Sequence, residues 1–532
     1  MKVALVAPPY PLELAPSPPL GLCYVATACE TVGAKVKIFD YIVRRYTKDK
    51  IKQDIDTFRP EIIGATSVTM NFHIAAEIIK TAKQYNPSII TMMGGPHVSF
   101  DIENTLHSYP EIDVILIGEG DNTIKEFLPV IQDKSQWAMV KGIAYIDNGH
   151  LVKTGQRELI QNLDSLEIPA RNLLPLSRYQ ALGFPVSIIT SRGCPNQCIF
   201  CLGRKMVGKK VRFRSASSII DEIEHVLSYG FQRINIADDF FTASKKRVRL
   251  FCNEIIKRDI NFTWSAFARV DSVDKKHLAI MKNAGCDTVC FGIESGNLEI
   301  LKQVKKGITP DQAIKAVEIC NDVGMKVHAS FIVGLPGESY ETLEDTQQLA
   351  NKLDVEYGYH FLAPFPGTTL KNEIKNYDLE IISDDWNLYD AKRPIVKTSH
   401  LEPEDMSNFV DEVFKEQQEN WETLKQAFLN GDRSENKNNI VEGLVKMDFI
   451  FKLLSEDIIE NQAPFIIQNS SNEHIIELSK QLHNILGSDM GMNIHLVDQI
   501  CSQLVKNGYL HYEKQGKSIK WFWTYNNKIK SL

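Results

Sequence analysis

Short apolar strand segments alternate with helical segments twice along the chain, and this alternation constrains the fold more than any other feature. Parallel strands need long crossover connections, which helices usually provide, so the alternation predicts parallel α/β sheets. In the first run we predict helices at Leu20–Val32 and Phe72–Gln84. The strands predicted beside them are Lys2–Ala7, Lys35–Phe39, Glu61–Thr66, Ile89–Met93 and Asp113–Ile117. This run is expected to form a doubly wound, Rossmann-like sheet.

A second run begins at Val186 and contains six strand segments separated by helices of ordinary length. The predicted strands are Val186–Thr190, Arg233–Ala237, Thr263–Ala266, Thr288–Phe291, Val327–Val333 and Tyr359–Leu362. Six such units predict a partial or full (βα)6 barrel, in which functional residues lie on the loops that follow the strands.

The chain of 532 residues is too long for one hydrophobic core, so several domains are expected. A hairpin is predicted at Ala144–Lys153, because Asn148-Gly149 favours a type I′ turn. After the second run, Pro403–Asn430 is typical of a long polar helix. The predicted divisions are an α/β domain at 1–140, a connector at 141–185, a barrel core at 186–370, a helical extension at 371–440, and a mainly helical, winged-helix-like or substrate-recognising domain at 441–532.

Composition and charge exclude several classes of partner. Lys and Arg number 60 against 67 Asp and Glu, and the net charge of −7 makes nucleic acid an improbable partner. No apolar run reaches the roughly 20 residues of a membrane span. The apolar start, Met1–Ala7, is interpreted as a buried strand rather than a signal peptide. Ten scattered cysteines do not form a disulfide framework, so a cytoplasmic location is expected.

Three cysteines form the most specific motif. Cys194, Cys198 and Cys201 have C-x3-C-x2-C spacing in a loop directly after a predicted strand. Thiolates are the usual ligands of iron–sulfur clusters, and three of them leave one iron of a [4Fe-4S] cluster open for catalysis. The alternatives are zinc or incidental surface cysteines, but structural zinc usually needs four ligands, and no partner pair is nearby.

This cysteine loop resembles that of the radical S-adenosylmethionine superfamily, and the resemblance continues over residues 186–370. The resemblance implies that the open iron binds the amino and carboxylate groups of S-adenosylmethionine. It also implies that an electron from the cluster, supplied by a donor such as ferredoxin or flavodoxin, cleaves the sulfonium and gives a 5′-deoxyadenosyl radical.

The resemblance further implies a set of contacts to S-adenosylmethionine at the ends of successive strands. These residues are Phe200 near the adenine, Asp238 and Asp239 at the amino group, Arg269 at the carboxylate, Glu294 and Ser295 at the ribose, and Gly334 at a close backbone approach. Structural alternatives remain open: an N-cap near Ser244 for the aspartates, a surface position for Arg269, and a tight turn at Gly334.

Small and hydroxyl-bearing residues dominate the loops after the first-run strands, as a large ligand against backbone requires. These loops resemble those of cobalamin-binding domains, over residues 1–140. The implied contacts are Pro9, Leu20, Gly21, Ser67, Thr69, Met70, Asn71, Gly94, Gly95, Pro96, His97, Gly118, Glu119 and Gly120. An Asp-x-His-x-x-Gly motif is absent, so cobalt is expected without a protein histidine, its lower face near Thr69–Asn71. His97 is either a contact to the cofactor tail or a phosphate, or structural; a cofactor-free domain is the alternative for the whole region.

Together the two resemblances imply a cobalamin-dependent radical S-adenosylmethionine methyltransferase that methylates an unactivated carbon. The substrate is left open between a peptide side chain, a lipid and a small metabolite. A radical cyclase or rearrangement enzyme is the alternative. Methylthiolation would need a second cluster, and Cys23 and Cys29 lie in one predicted helix without a third cysteine. A cobalamin sensor with a nucleic-acid-binding tail is disfavoured by the net charge.

Overall fold

A computed structural model describes residues 1–11, 17–431, 438–461, 465–466, 473–515 and 518–525. Within these residues, the first sheet consists of β1 Lys2–Ala7, β2 Lys35–Asp40, β3 Ile62–Thr66, β4 Ile90–Gly94, β5 Val114–Leu116, β6 Ile143–Asp147 and β7 His150–Lys153. Their order is β2-β1-β3-β4-β5-β6-β7. Strands β1 to β5 are parallel, as predicted.

Helices cover both faces of this sheet. They are α1 Leu20–Thr31, α2 Lys48–Phe58, α3 Phe72–Tyr85, α4 Pro96–Phe100, α5 Ile102–Ser108 and α6 Gly120–Phe127. Side chains alternate along β1: Val3 and Leu5 enter one hydrophobic core, and Ala4 and Val6 enter another. Both faces of the strand are therefore buried, which confirms the doubly wound arrangement.

The predicted hairpin extends the first sheet beyond residue 140, where the connector was expected to begin. Strand β6 pairs antiparallel with β5, and β7 pairs with β6. Asn148 and Gly149 have φ angles of 47° and 79°, as a type I′ turn requires. The hairpin covers a sheet edge that β5 would otherwise expose.

The second run forms a six-stranded parallel sheet. Its strands are β8 Val186–Ile188, β11 Arg233–Ile236, β12 Thr263–Ala268, β13 Cys286–Glu294, β14 Lys326–Val333 and β15 Glu356–Phe361. The short strands β9 Ser191–Arg192 and β10 Arg212–Phe213 pair with each other beside it. The order is β15-β14-β13-β12-β11-β8, and β8 does not pair with β15 in the described chain. The core is thus a partial (βα)6 barrel, as predicted.

The helices before, within and after this barrel are α7 Leu176–Ala181, α8 Gly203–Val207, α9 Ala216–Leu227, α10 Lys245–Lys257, α11 Lys275–Asn283, α12 Leu298–Gln303, α13 Pro310–Asp322, α14 Tyr340–Leu353 and α15 Thr369–Asn372. A small strand pair, β16 Glu380–Ile381 and β17 Val396–Lys397, follows. The long helix α16, Pro403–Leu429, lies against β15, where Phe409 and Phe414 pack on Tyr359.

The C-terminal elements are α17 Asn438–Ser455, α18 Ile458–Asn461, β18 Phe465–Ile466, α19 Glu473–Leu482, α20 Ile494–Lys506, β19 Leu510–Gln515 and β20 Ser518–Trp523. The three strands pair antiparallel in the order β18-β20-β19 and form a C-terminal module with these helices; its winged-helix-like character stays a prediction. Trp521 is buried in the core of this module. Among the described residues, no helix is long and apolar enough to span a membrane.

Candidate active site

The cysteine loop follows β9 and lines a cavity of about 280 Å³. Its backbone is anchored on both sides: Cys194 N donates to Gly208 O at 3.1 Å, and Ile199 N donates to Val304 O at 3.1 Å. Gly193 has a φ of 110°, and a Cβ there would lie 2.4 Å from Lys210 O. Only glycine fits directly before the first cysteine, so local packing fixes the start of the loop.

The three thiols surround this cavity and do not meet at a point. In the described chain no three His, Cys, Asp or Glu side chains converge closely enough to hold a single metal ion. A cubane cluster does not need such convergence, because each thiolate binds a different iron. Burial raises the pKa of the Cys198 thiol, and the charges of Lys306 and Arg269 act against that rise.

The two aspartates after β11 have different environments, and their contacts to S-adenosylmethionine stay predictions. Asp238 is buried and accepts hydrogen bonds from Thr190 N at 2.6 Å and Ser191 Oγ at 2.6 Å. It holds the chain that leads into the cysteine loop. Asp239 is exposed to the larger cavity described below. The N-cap of α10 is Ser244, so neither aspartate has that structural role.

Arg269 and Glu294 have protein partners, and their contacts to S-adenosylmethionine stay predictions. The Arg269 guanidinium donates to Asp271 at 2.8 and 3.0 Å and to Lys306 O at 2.9 Å. Lys306 Nζ donates to Glu294 at 2.6 Å, with both side chains buried. A register shift in β13 and a φ of 72° direct Glu294 toward this lysine. Sequence reasoning missed Lys306, since no motif marks it.

Ser295 and Gly334 form hydrogen bonds with neighbouring residues, and their contacts to S-adenosylmethionine stay predictions. Ser295 is fully buried, and its hydroxyl lies 3.2 Å from Thr346 Oγ1. Gly334 N donates to Glu338 at 2.6 Å, and a Cβ at Gly334 would lie 3.0 Å from Val396. The tight-turn alternative therefore describes Gly334. Phe200 is half-buried against the apolar residues that follow β14 and β15, and its place beside the adenine stays a prediction.

A cavity of about 380 Å³ opens between the first sheet and the barrel. Loop residues after the first-sheet strands line one side, and Ile189, Ser191, Arg192, Met206, Val207, Ala237 and Asp239 line the other. Added Cβ atoms at Gly21 and Gly118 would meet nothing within 4 Å, so these glycines leave open space at the wall. Open glycine positions and a largely apolar lining suit a large cofactor that lies against the backbone, so these residues fit the part of a cobalamin that would lie here.

The predicted cobalamin contacts divide into two groups. Seven line the cavity: Gly21, Gly94, Gly95, Pro96, Gly118, Glu119 and Gly120. Seven lie outside its lining: Pro9, Leu20, Ser67, Thr69, Met70, Asn71 and His97. Among the second group, Asn71 bonds Val68 N and Pro9 O, which closes the loop after β3. The Ser67 hydroxyl is buried without a hydrogen-bond partner among the described residues.

His97 is buried and does not line the cavity, and its predicted ligand contact stays a prediction. Its ring stacks on Phe72 at 4.0 Å and meets Trp386 edge-on at 5.2 Å. Nδ1 lies 3.3 Å from Thr69 Oγ1. Burial lowers the pKa of His97 to about 3, which keeps the ring neutral. Because Trp386 follows the barrel, His97 joins the first domain to the helical extension.

Glu119 and Asp121 join the first domain to the cysteine loop. Glu119 pairs with Arg212 at 2.8 Å, and Asp121 pairs with Arg192 at 3.0 Å. Arg192 also lies 3.3 Å from Glu119, and its guanidinium is 5.4 Å from the Tyr24 ring. Burial acts to raise the pKa of the Glu119 carboxyl. Its hydrogen bonds from Arg212 and Ile160 N, together with the nearby Arg192 charge, outweigh burial, so the pKa of Glu119 is below its usual value. Sequence reasoning missed both arginines, because the strand pair that brings them together is not visible in either segment.

Two family comparisons match the two halves of this site. Residues 188–350 match the radical SAM superfamily, and residues 15–128 match the B12 binding domain. An uncharacterized methyltransferase of Pyrococcus horikoshii is 36% identical over 422 residues, which are 78% of this chain and 92% of that relative. An anaerobic magnesium-protoporphyrin IX monomethyl ester cyclase of Rubrivivax gelatinosus is 30% identical over 399 residues, with 72% and 71% covered.

Two solved structures share the fold. The radical S-adenosylmethionine methyltransferase TsrM from Kitasatospora setae, with cobalamin and a [4Fe-4S] cluster bound, has a TM-score of 0.62 at 19% identity and covers 78% of this chain and 85% of its own. The cobalamin-dependent enzyme OxsB, with aqua-cobalamin and S-adenosylmethionine bound, has a TM-score of 0.65 at 17% identity, with 95% and 84% covered. The chain therefore belongs to the cobalamin-dependent radical S-adenosylmethionine methyltransferase family, whose cofactors are a [4Fe-4S] cluster, S-adenosylmethionine and cobalamin.

Proposed function

We propose that this enzyme methylates an unactivated carbon of its substrate. The observation that carries the proposal is the shared cavity: its walls combine the glycine-rich loops of the first domain with Ser191, Arg192 and Asp239, which adjoin the cysteine loop. When bound, the cluster and S-adenosylmethionine supply a 5′-deoxyadenosyl radical, and cobalamin supplies the methyl group.

The residues of the cavity wall hold the reacting groups apart from water. Leu5, Leu22, Met92 and Leu116 make the inner wall apolar, and they are buried in the first sheet and α1. The carboxylates of Glu119 and Asp121 are neutralised by arginines, so they do not draw water into the cavity. Exclusion of water protects reactive intermediates from side reactions.

Isotope labelling tests this proposal. The reconstituted enzyme is incubated with S-adenosylmethionine labelled in its methyl group and with metabolite and peptide fractions from the source cells. We expect a product that carries the labelled methyl group, together with 5′-deoxyadenosine and S-adenosylhomocysteine, and neither the labelled product nor 5′-deoxyadenosine with Cys198→Ala. Formation of 5′-deoxyadenosine with an unmethylated product would contradict carbon methylation.

Oxidative cyclisation is the second candidate, and the similarity to the Rubrivivax gelatinosus cyclase favours it. Ring closure transfers no methyl group. The same experiment separates the two, because cyclisation gives 5′-deoxyadenosine and a product without the labelled methyl group, and it gives no S-adenosylhomocysteine.

We also propose that a ferredoxin or flavodoxin reduces the cluster and that the enzyme works in the cytoplasm. All ten cysteines are free, which is consistent with a reducing compartment. The substrate is one of the three classes named above: a peptide side chain, a lipid or a small metabolite.

A further inference from the structure

We propose that the basic surface around the cysteine cavity is the docking surface for a small acidic one-electron donor. This surface, the basic rim, consists of Arg204, Lys205, Lys209, Lys210 and Lys305. The inference rests on the proposed radical chemistry, which needs an electron at the cluster. Each transfer oxidises the donor by one electron and reduces the cluster by one, and no covalent bond forms.

The charged side chains that line the cavity are all basic. The residues that line it include Arg204, Lys205 and Lys305 but no aspartate or glutamate. Within the part of the chain that the structure describes, none of the five basic-rim side chains forms an ion pair with an acidic residue. This is notable in a protein whose net charge is −7. Unpaired cations at one place give a local positive field that attracts an acidic partner.

The basic rim is built onto the cysteine loop itself. Helix α8, which carries Arg204 and Lys205, begins two residues after the exposed Cys201. Gly208, which precedes Lys209, accepts a hydrogen bond from Cys194 N through its carbonyl oxygen. The carbonyl oxygen of Lys210 packs against Gly193. A donor that binds these side chains is therefore held next to the loop that carries the cluster.

The positions of the charges favour a protein partner over S-adenosylmethionine. Lys209 and Lys210 are exposed and do not line either the cysteine cavity or the larger one. The cations that face inward, Arg269 and Lys306, are occupied by Asp271 and Glu294. The outer lysines are thus free to meet a partner from solvent.

The test compares a charge reversal in the basic rim with a matched control. Lys209→Glu/Lys210→Glu is compared with Lys276→Glu/Lys282→Glu, two exposed lysines of α11 that are outside both cavities and change the net charge equally. Cluster reduction by flavodoxin hydroquinone is followed by stopped-flow absorbance at several salt concentrations. Reduction and S-adenosylmethionine cleavage with dithionite are measured in parallel.

For the basic-rim variant we expect a second-order rate with flavodoxin that is lower by about tenfold at low salt and approaches the wild-type rate as salt rises. Dithionite-driven cleavage should be unchanged, and the control should match the wild type in both assays. Equal flavodoxin rates in all three proteins would overturn the proposal, as would an equal loss with both reductants. If the double variant fails to hold its cluster, the single variants Lys209→Glu and Lys210→Glu, both outside the two cavities, take its place. Absence of cleavage in dithionite-reduced wild type would instead refute the proposed function.

Discussion

The Glu119 carboxylate lies 2.8 Å from Arg212 across the junction between the cobalamin-binding domain and the radical core, with the two side chains only 6% and 4% exposed. Arg212 is in β10, and β10 pairs with β9, which ends two residues before Cys194. The pair therefore connects the loop after β5 to the start of the cluster loop. Asp121 pairs with Arg192, the last residue of β9, and so makes a second connection to the chain that enters the cysteine loop.

Removal of Glu119 should destabilise the protein strongly. Glu119→Ala leaves the Arg212 charge buried without its partner, which costs about 3 kcal/mol or more. Glu126→Ala is the control, because Glu126 is 58% exposed in its pair with Arg157 and should cost about 1 kcal/mol or less. Urea unfolding of both variants measures the difference in the free energy of unfolding. Equal losses in the free energy of unfolding would show that the Glu119–Arg212 pair stabilises the protein no more than a surface ion pair does.

The strands of both sheets follow from the sequence because apolar runs of β-branched residues are a local signal. Strand β1 begins and ends where it was predicted. Strand β15 was predicted from Tyr359 but begins at Glu356. Glycine and histidine alternate with its aromatic residues, so the start of the strand is not a continuous apolar run. The aromatic face is buried by α16, an interaction with a helix more than 40 residues later.

The site was predicted less completely, because side-chain direction depends on distant partners. Glycines such as Gly94 and Gly118 do line the cavity, since a glycine in a loop after a strand already implies close approach, and their contact with cobalamin stays a prediction. Glu119 also reaches the cavity wall, but its partner Arg212 is 93 residues away in the sequence. His97 and Asp238 are likewise held by residues that no local pattern identifies.

Because His97 is buried in its neutral form, the free energy of unfolding should depend on pH. Its pKa is about 3 in the folded protein, below the ordinary value of 6.5, so the unfolded chain takes up the proton first as pH falls. His97 alone therefore lowers the free energy of unfolding below about pH 6.5, by about 2 kcal/mol at about pH 5. Buried carboxyls act in the opposite direction over this range, because burial raises the pKa of Glu338 to about 8, so the measurement is a difference between variants. Between about pH 7.5 and pH 5, urea unfolding should show a change about 2 kcal/mol more destabilising in wild type and in His150→Phe, an exposed control, than in His97→Phe. The same change in all three proteins would assign the pH dependence to other groups.

Loss of one cluster ligand should leave the cobalamin site intact. Cys198→Ala removes a thiolate from the cysteine cavity, so iron should fall from about four per chain to nearly none, while the cobalamin absorbance is retained. Cys290→Ala is the control, because Cys290 is a half-buried cysteine in the middle of β13 and does not line that cavity. Iron analysis and absorption spectra after anaerobic reconstitution provide the measurement. Full iron content in Cys198→Ala would contradict the assigned ligand set.

A side chain at Gly21 should block cobalamin without damage to the fold. Gly21 is in the first turn of α1, and an added Cβ meets only open space in the cavity, so Gly21→Leu should fill the cradle. We expect cobalamin binding to weaken by about tenfold or more, which corresponds to at least about 1.4 kcal/mol. Stability of the apoprotein should not fall, because replacing a helical glycine gains about 0.5–1 kcal/mol in helix propensity. Gly443→Leu makes the same change at an exposed position of α17 with open space around it, and it should leave cobalamin binding unchanged. Wild-type affinity in Gly21→Leu, measured by equilibrium dialysis, would place the cofactor elsewhere.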